Sequence, residues 1–205
     1  KTAVFDHEGD HEAAAKIAEE TIVLLKNDGI LPLSEDKKVV LIGEFAKSPR
    51  FQGGGSSHIN CFKVTSALDE LKDSPNVSFA LGYTTKEDKT DAALLDEAVK
   101  AAAAADVAVI FAGLPDSFES EGYDRKHMSI PNCQNELIEA VAKVQPNVVV
   151  ILHNGSPVEM PWIDNVKGVI ESYLGGQAVG KAQAAILYGK VNPSAKLPET
   201  FPVKL

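Results

Sequence analysis

The stretch DAALLDEAVKAAAAADVAVIFA, residues 91–112, decides the fold. Its first part, from about Asp91 to Ala105, reads as a helix, and Val107–Ala112 is an unbroken apolar run of strand length. A helix feeding a strand that shows no polar face is the repeating unit of a parallel sheet buried on both sides.

The same alternation extends in both directions. Upstream, Lys38–Gly43 reads as a buried strand, followed by a helix from about Val64 to Lys72 and a strand near Val77–Leu81. Downstream, Gln134–Val144 is helical and Val148–Leu152 a strand, then Val169–Leu174 a strand and Val179–Tyr188 a helix. At the start, HEAAAKIAEETIVLLK (residues 11–26) places Ala14, Ile17, Ala18, Ile22 and Leu25 at helical spacing, so a helix is expected from His11 to Lys26 with Asn27-Asp28-Gly29 as its stop. The expectation is a three-layer α/β/α sandwich around a mainly parallel sheet. No Pro/Ser-rich linker and no repeat divides residues 1–205, which read as a single domain.

Composition narrows the function classes. The chain has 205 residues, 44% hydrophobic and 24% charged, which is ordinary for a compact globular domain. A formal net charge of -9 with scattered Lys and Arg repels a phosphate backbone, so neither nucleic acid nor an anionic membrane is an expected partner. No apolar run reaches the roughly 20 residues of a membrane span. Cys61 and Cys133 lie far apart without metal-ligand spacing, so free thiols and no metal site are expected, and a reducing compartment fits them. A cytoplasmic location, in a bacterium, is the expectation. The sequence opens at Lys1 rather than Met and is expected to be part of a longer protein.

Two loops leave strands at their carboxyl ends, where open α/β sheets gather ligands. The first is RFQGGGSS, residues 50–57, whose glycines permit close approach of backbone to a partner. It matches neither GxGxxG nor GxxxxGK[ST], so a phosphate cradle is a poor fit, and a surface loop or a ligand-facing loop remain open. The second runs for about twenty residues from Leu114 to Cys133, long for a compact α/β unit, and crowds Asp116, Glu119, Glu121 and Asp124 around Arg125. Carboxylates this dense must be paired or protonated. One turned into an apolar or crowded pocket would have the raised pKa that a general acid needs, while the bland alternative is a solvated acidic loop. The five histidines, His7, His11, His58, His127 and His153, form no HExxH pattern and accompany no GxSxG elbow, so no catalytic role follows for them. Trp162, among prolines, reads as a packing anchor rather than a sugar-stacking platform.

The residues also resemble a family. AEETIVLLKN (18–27) with Leu31-Pro32-Leu33, RFQGGGSS (50–57), ESEGYDR (119–125) with Met128–Pro131, Gly155-Ser156-Pro157-Val158 and LYGKVNPSAKLP (187–198) are similar, in order, to segments of the second domain of family-3 glycoside hydrolases. The resemblance implies a six-stranded α/β sandwich that packs against a TIM-barrel domain absent from this chain. It implies retaining hydrolysis of a β-glycosidic bond, with a barrel aspartate as nucleophile and no cofactor. Glu121, immediately before Gly122, takes the acid/base position, with Glu119 as runner-up. Gln52, Gly53, Gly54, Gly55 and Ser56 are implied on the aglycone side of the cleft, and Asp124 with Arg125 as a structural ion pair. Among the family's glycones, β-glucoside or oligosaccharide substrates are expected first. The rival readings are a non-catalytic carbohydrate-binding or structural module and a flavodoxin-like cofactor binder.

Overall fold

The computed structural model describes residues 3–205. Its six-stranded sheet comprises β1 (Val23–Asn27), β2 (Val39–Ile42), β3 (Val77–Ala80), β4 (Val107–Gly113), β5 (Val148–His153) and β6 (Gly168–Glu171). The order across the sheet is β1-β6-β5-β4-β2-β3; β1 runs antiparallel to β6 and the other pairings are parallel. Every residue of β2, β4, β5 and β6 is buried, which is why those segments show no polar alternation. Edge strand β3 is only partly covered.

The helices are α1 (His7–Thr21), α2 (Glu44–Lys47), α3 (Ala67–Leu71), α4 (Ala92–Ala104), α5 (Asn132–Val144) and α6 (Val179–Leu187). They form two groups: α1 and α3 pack on α6, and α4 packs on α5. The β2-α3-β3 connection steps toward one edge, whereas β3-α4-β4 and β4-α5-β5 step toward the other. Right-handed crossovers therefore put α3 on one face and α4 and α5 on the opposite one. The expected three-layer sandwich is what forms. Local chemistry agrees with the boundaries: Asp91 Oδ1 accepts from the N–H groups of Ala93 and Leu94 to cap α4, and Ser66 with Asp69 forms a reciprocal capping box on α3.

One expectation fails. The helix expected over His11–Lys26 ends at Thr21, and Val23–Asn27 is strand β1, paired antiparallel with β6 around an irregularity between Leu24 and Lys26. Ile22 and Leu25 fit helical spacing, but Thr21-Ile22-Val23 is β-branched and β6 offers an edge whose N–H and C=O groups need partners. Tertiary pairing outweighs local periodicity there. Trp162 is fully buried and donates from Nε1 to Asn135 Oδ1 at 2.9 Å, as a packing anchor should.

The sheet order also locates a crevice. From β2 the chain moves outward to β3 and then crosses to β4 on the other side, so the strand order reverses between β2 and β4. Loops leaving adjacent strands at such a reversal splay apart and open a cleft at their carboxyl ends. The two loops singled out in the sequence are the ones that follow β2 and β4.

Candidate active site

The two loops meet. Gly55 lies at φ +75°, and a Cβ built on it would come within 2.6 Å of Glu121 Oε2 and 2.7 Å of Glu121 Cβ. A Cβ on Gly54 would come within 2.6 Å of Ser120 Oγ. Glycine is required here both for the left-handed backbone and for the approach of one loop to the other. A cavity of about 410 Å³ lies between them, its walls including Arg50, Gly54, Ser56, Glu119, Glu121 and Leu174.

The two candidate acids sit in different surroundings. Glu121 is exposed, and its Oε2 accepts from the Ser56 backbone N–H at 2.6 Å. Ser56, through its side chain and its backbone N–H, holds the Glu121 carboxyl below its ordinary value. Glu119 is half-buried and fully engaged. Its Oε2 accepts from Arg50 Nη1 at 2.5 Å and from the Gly155 N–H at 2.8 Å, and its Oε1 accepts from the Ser156 hydroxyl. Burial pushes Glu119 upward, but the hydrogen bonds from Ser156, Arg50 and Gly155 and the Arg50 charge outweigh it, and the carboxyl stays below its ordinary value. Neither acid has within this chain the raised pKa of a carboxyl turned into an apolar or crowded pocket. Arg50 neutralises one, and solvent with Ser56 stabilises the other.

The remaining expected residues divide. Gly53, Gly54 and Ser56 border the cavity, whereas Gly55 packs against Glu121. Gln52 does not present its amide to it: Oε1 accepts from the Ile59 N–H and Nε2 donates to the Ile59 carbonyl, each at 3.0 Å, so the side chain closes its own loop. The Asp124–Arg125 ion pair is not formed among the described residues. Asp124 is exposed, while Arg125 reaches back to Ser156 Oγ at 2.9 Å and the Pro157 carbonyl at 2.7 Å, because the Gly155–Pro157 turn after β5 supplies oriented acceptors that adjacent Asp124 cannot.

Three groups with no role assigned from the sequence underlie the site. Arg50, almost fully buried, holds the second loop at four points. His153, buried at the end of β5, faces the Arg50 carbonyl through Nδ1 at 3.1 Å and Gln183 Nε2 through Nε2 at 3.0 Å; burial lowers its pKa to about 4, so the ring is neutral. Glu171, buried at the end of β6, accepts from the Tyr173 N–H at 2.7 Å and from Asn154 Nδ2 at 2.9 Å, yet burial raises its pKa to about 8. His153 and Glu171 carry no motif, and only their strand-end positions could have flagged them; Arg50 heads the RFQGGGSS string, but nothing in that string shows that its side chain turns inward to the second loop.

Comparison with known proteins places this arrangement. The sequence model of the Glycosyl hydrolase family 3 C-terminal domain matches residues 22–205. The chain is 56% identical to the thermostable beta-glucosidase B of Acetivibrio thermocellus, over all of this chain and 28% of that protein. It is 45% identical to the exo-alpha-(1->6)-L-arabinopyranosidase of Bifidobacterium longum, over 98% of this chain and 28% of that protein. Among solved structures, the GH3 beta-glucosidase of Bifidobacterium adolescentis superimposes with a TM-score of 0.93 at 48% identity, covering 98% of this chain and 30% of that one. The chain therefore spans less than a third of the length of these relatives.

Proposed function

The chain belongs to the C-terminal domains of glycosyl hydrolase family 3, and from that membership we propose that it supplies Glu121 as the general acid/base of a retaining β-glycosidase acting on terminal β-D-glucosyl residues. The observation that carries the reading is the contrast between the two carboxylates. Glu121 lines the inter-loop cavity, exposed and engaged by Ser56 alone, whereas Glu119 is committed to Arg50, Gly155 and Ser156. A proton donor must have a free oxygen within hydrogen-bond reach of the leaving group, and Glu121 has one.

A retaining mechanism needs two carboxyl groups about 5–5.5 Å apart. The second comes from the part of the parent protein outside this chain, a barrel domain that covers the Glu121 side of the cavity. Its arrival also provides what this chain lacks: desolvation and a neighbouring negative charge both raise a carboxyl pKa and would hold Glu121 protonated for the first step. Glu121 then protonates the departing oxygen, and afterwards takes a proton from the water that releases the sugar. The glycone is selected by that other domain, since close relatives of this chain bear names with different glycones, a beta-glucosidase and an arabinopyranosidase.

Two measurements test the reading. The 205-residue chain alone should show no hydrolysis of an aryl β-glucoside that the full-length protein cleaves. In the full-length protein, Glu121→Gln should lower kcat/KM by about 10²–10⁴-fold on a substrate with a poor leaving group, the usual worth of a positioned proton donor. An unactivated disaccharide turned over at the parental rate would remove Glu121 from the role.

A further inference from the structure

The loop that carries Glu121 has no helix or strand between the end of β4 and the start of α5, yet its backbone is fixed at several points. One side chain from a different loop does most of this. Arg50 donates from Nη1 to the Leu114 carbonyl at 2.9 Å and to Glu119 Oε2 at 2.5 Å, from Nη2 to the Glu119 carbonyl at 2.8 Å, and from Nε to Asp116 Oδ1 at 3.0 Å. Its guanidinium thus grips the loop at its root, at Asp116, and at both the main chain and the side chain of Glu119. A planar fork with five N–H donors can do this; a point charge cannot.

Arg50 is itself anchored. Its carbonyl faces His153 Nδ1, and His153 is held by Gln183, whose Nε2 also donates to Ser172 Oγ at 2.8 Å. Those residues sit at the ends of β5 and β6 and on α6, in the rigid core of the sandwich. Glu119 closes the bracket from the other side through Gly155 and Ser156. Its charge is matched by the buried guanidinium, so it remains an ionised acceptor and is unsuited to donate a proton.

Glu119 is two residues from Glu121, and two residues of extended chain span at most about 7 Å. With Glu119 pinned, Glu121 can move only within that tether. We infer that Arg50 and Glu119 form a positioning bracket that sets the reach of Glu121 toward the leaving-group oxygen. The inference rests on Glu121 being the acid/base. Arg50 need not touch substrate to act. A displacement of about 1 Å at a proton donor costs on the order of 10²-fold, which sets the scale of what the bracket protects.

The test uses the full-length protein and a matched pair of substrates sharing a glycone that it cleaves: a dinitrophenyl glycoside, whose leaving group needs no protonation, and a disaccharide, whose leaving group does. Arg50→Lys, Glu119→Gln and Ser156→Ala are compared with Glu121→Gln by kcat/KM, which reports the first chemical step. Arg50→Lys keeps the charge and loses the fork. It should lower kcat/KM on the disaccharide at least about tenfold more than on the dinitrophenyl glycoside, with Ser156→Ala, which removes one donor and spares Arg50, shifting the ratio the same way by less. A bracket that merely stabilised the fold would lower both substrates together. Equal losses on the two substrates in Arg50→Lys and Ser156→Ala, or no loss in either, overturn the inference provided Glu121→Gln shows the gap. Absence of the gap in Glu121→Gln itself overturns the acid/base reading instead.

Discussion

Replacing Glu171 by Gln should make this domain less stable in acid and more stable above neutrality. Glu171 is buried at the end of β6, and burial raises its pKa from 4.5 to about 8, against the hydrogen bonds from Tyr173 and Asn154; the charges of Glu119 and Glu199 add to the rise. Below pH 4.5 the carboxyl is protonated in both folded and unfolded chains and costs nothing. Between 4.5 and about 8 the unfolded chain loses this proton and the folded chain keeps it, so stability falls as pH rises, by at most about 1.4 kcal/mol per pH unit. Across that window the ceiling on the loss is roughly 5 kcal/mol, and above pH 8 it no longer grows. Gln cannot titrate and escapes the loss. It carries a different cost: Tyr173 N–H and Asn154 Nδ2 donate to different oxygens of Glu171, so the Gln amide nitrogen must face one donor, at about 1–3 kcal/mol. The neighbouring Asn154 Oδ1, which has no partner among the described residues, limits that cost if the Asn154 amide turns over. Urea unfolding of parent and variant, followed by circular dichroism from pH 4 to pH 9, should give curves that cross between about pH 5 and pH 7. Parallel curves would show that Glu171 ionises normally in the folded chain and would refute the reasoning.

Gly55→Ala should lower stability by about 1–3 kcal/mol, from the strain of a side chain at φ +75° and its collision with Glu121, as read by urea unfolding. In the full-length protein the same variant should lower kcat on a disaccharide, because the collision displaces Glu121 itself. Trp162→Phe should cost about 1–3 kcal/mol through the void it leaves and the lost hydrogen bond to Asn135, without changing KM for any glycoside. A raised KM with unchanged stability would instead make Trp162 a sugar platform.

Much of the fold was legible because its signals are local. Val107–Gly113 and Val148–His153 are apolar without alternation since both of their faces are covered, and that pattern can be read from the residues alone. Segment 22–27 misled for the opposite reason: its β state depends on the edge of β6, more than 140 residues away in sequence, and no local pattern reports a distant edge. The site was legible in the same uneven way. The two loops stood out by glycine and carboxylate density, and the family-like string around Gly122 selected Glu121. The expected Asp124–Arg125 pair failed because adjacency in sequence does not bring two side chains together in a turn when better-oriented acceptors lie at Ser156 and Pro157.

The sequence by itself determined the layered α/β architecture, the acidic charge balance, and which two loops were worth weighing. Only the tertiary structure decided that those loops flank the reversal in strand order, that Arg50 rather than Arg125 is the cation bound to Glu119, and that the raised carboxyl pKa belongs to Glu171 rather than to the acidic loop. Apolar periodicity is written along the chain, residue by residue. Charge pairing and protonation are set by what lies within a few ångströms in space, and at Arg50 and Glu119 those neighbours are 69 residues apart in sequence.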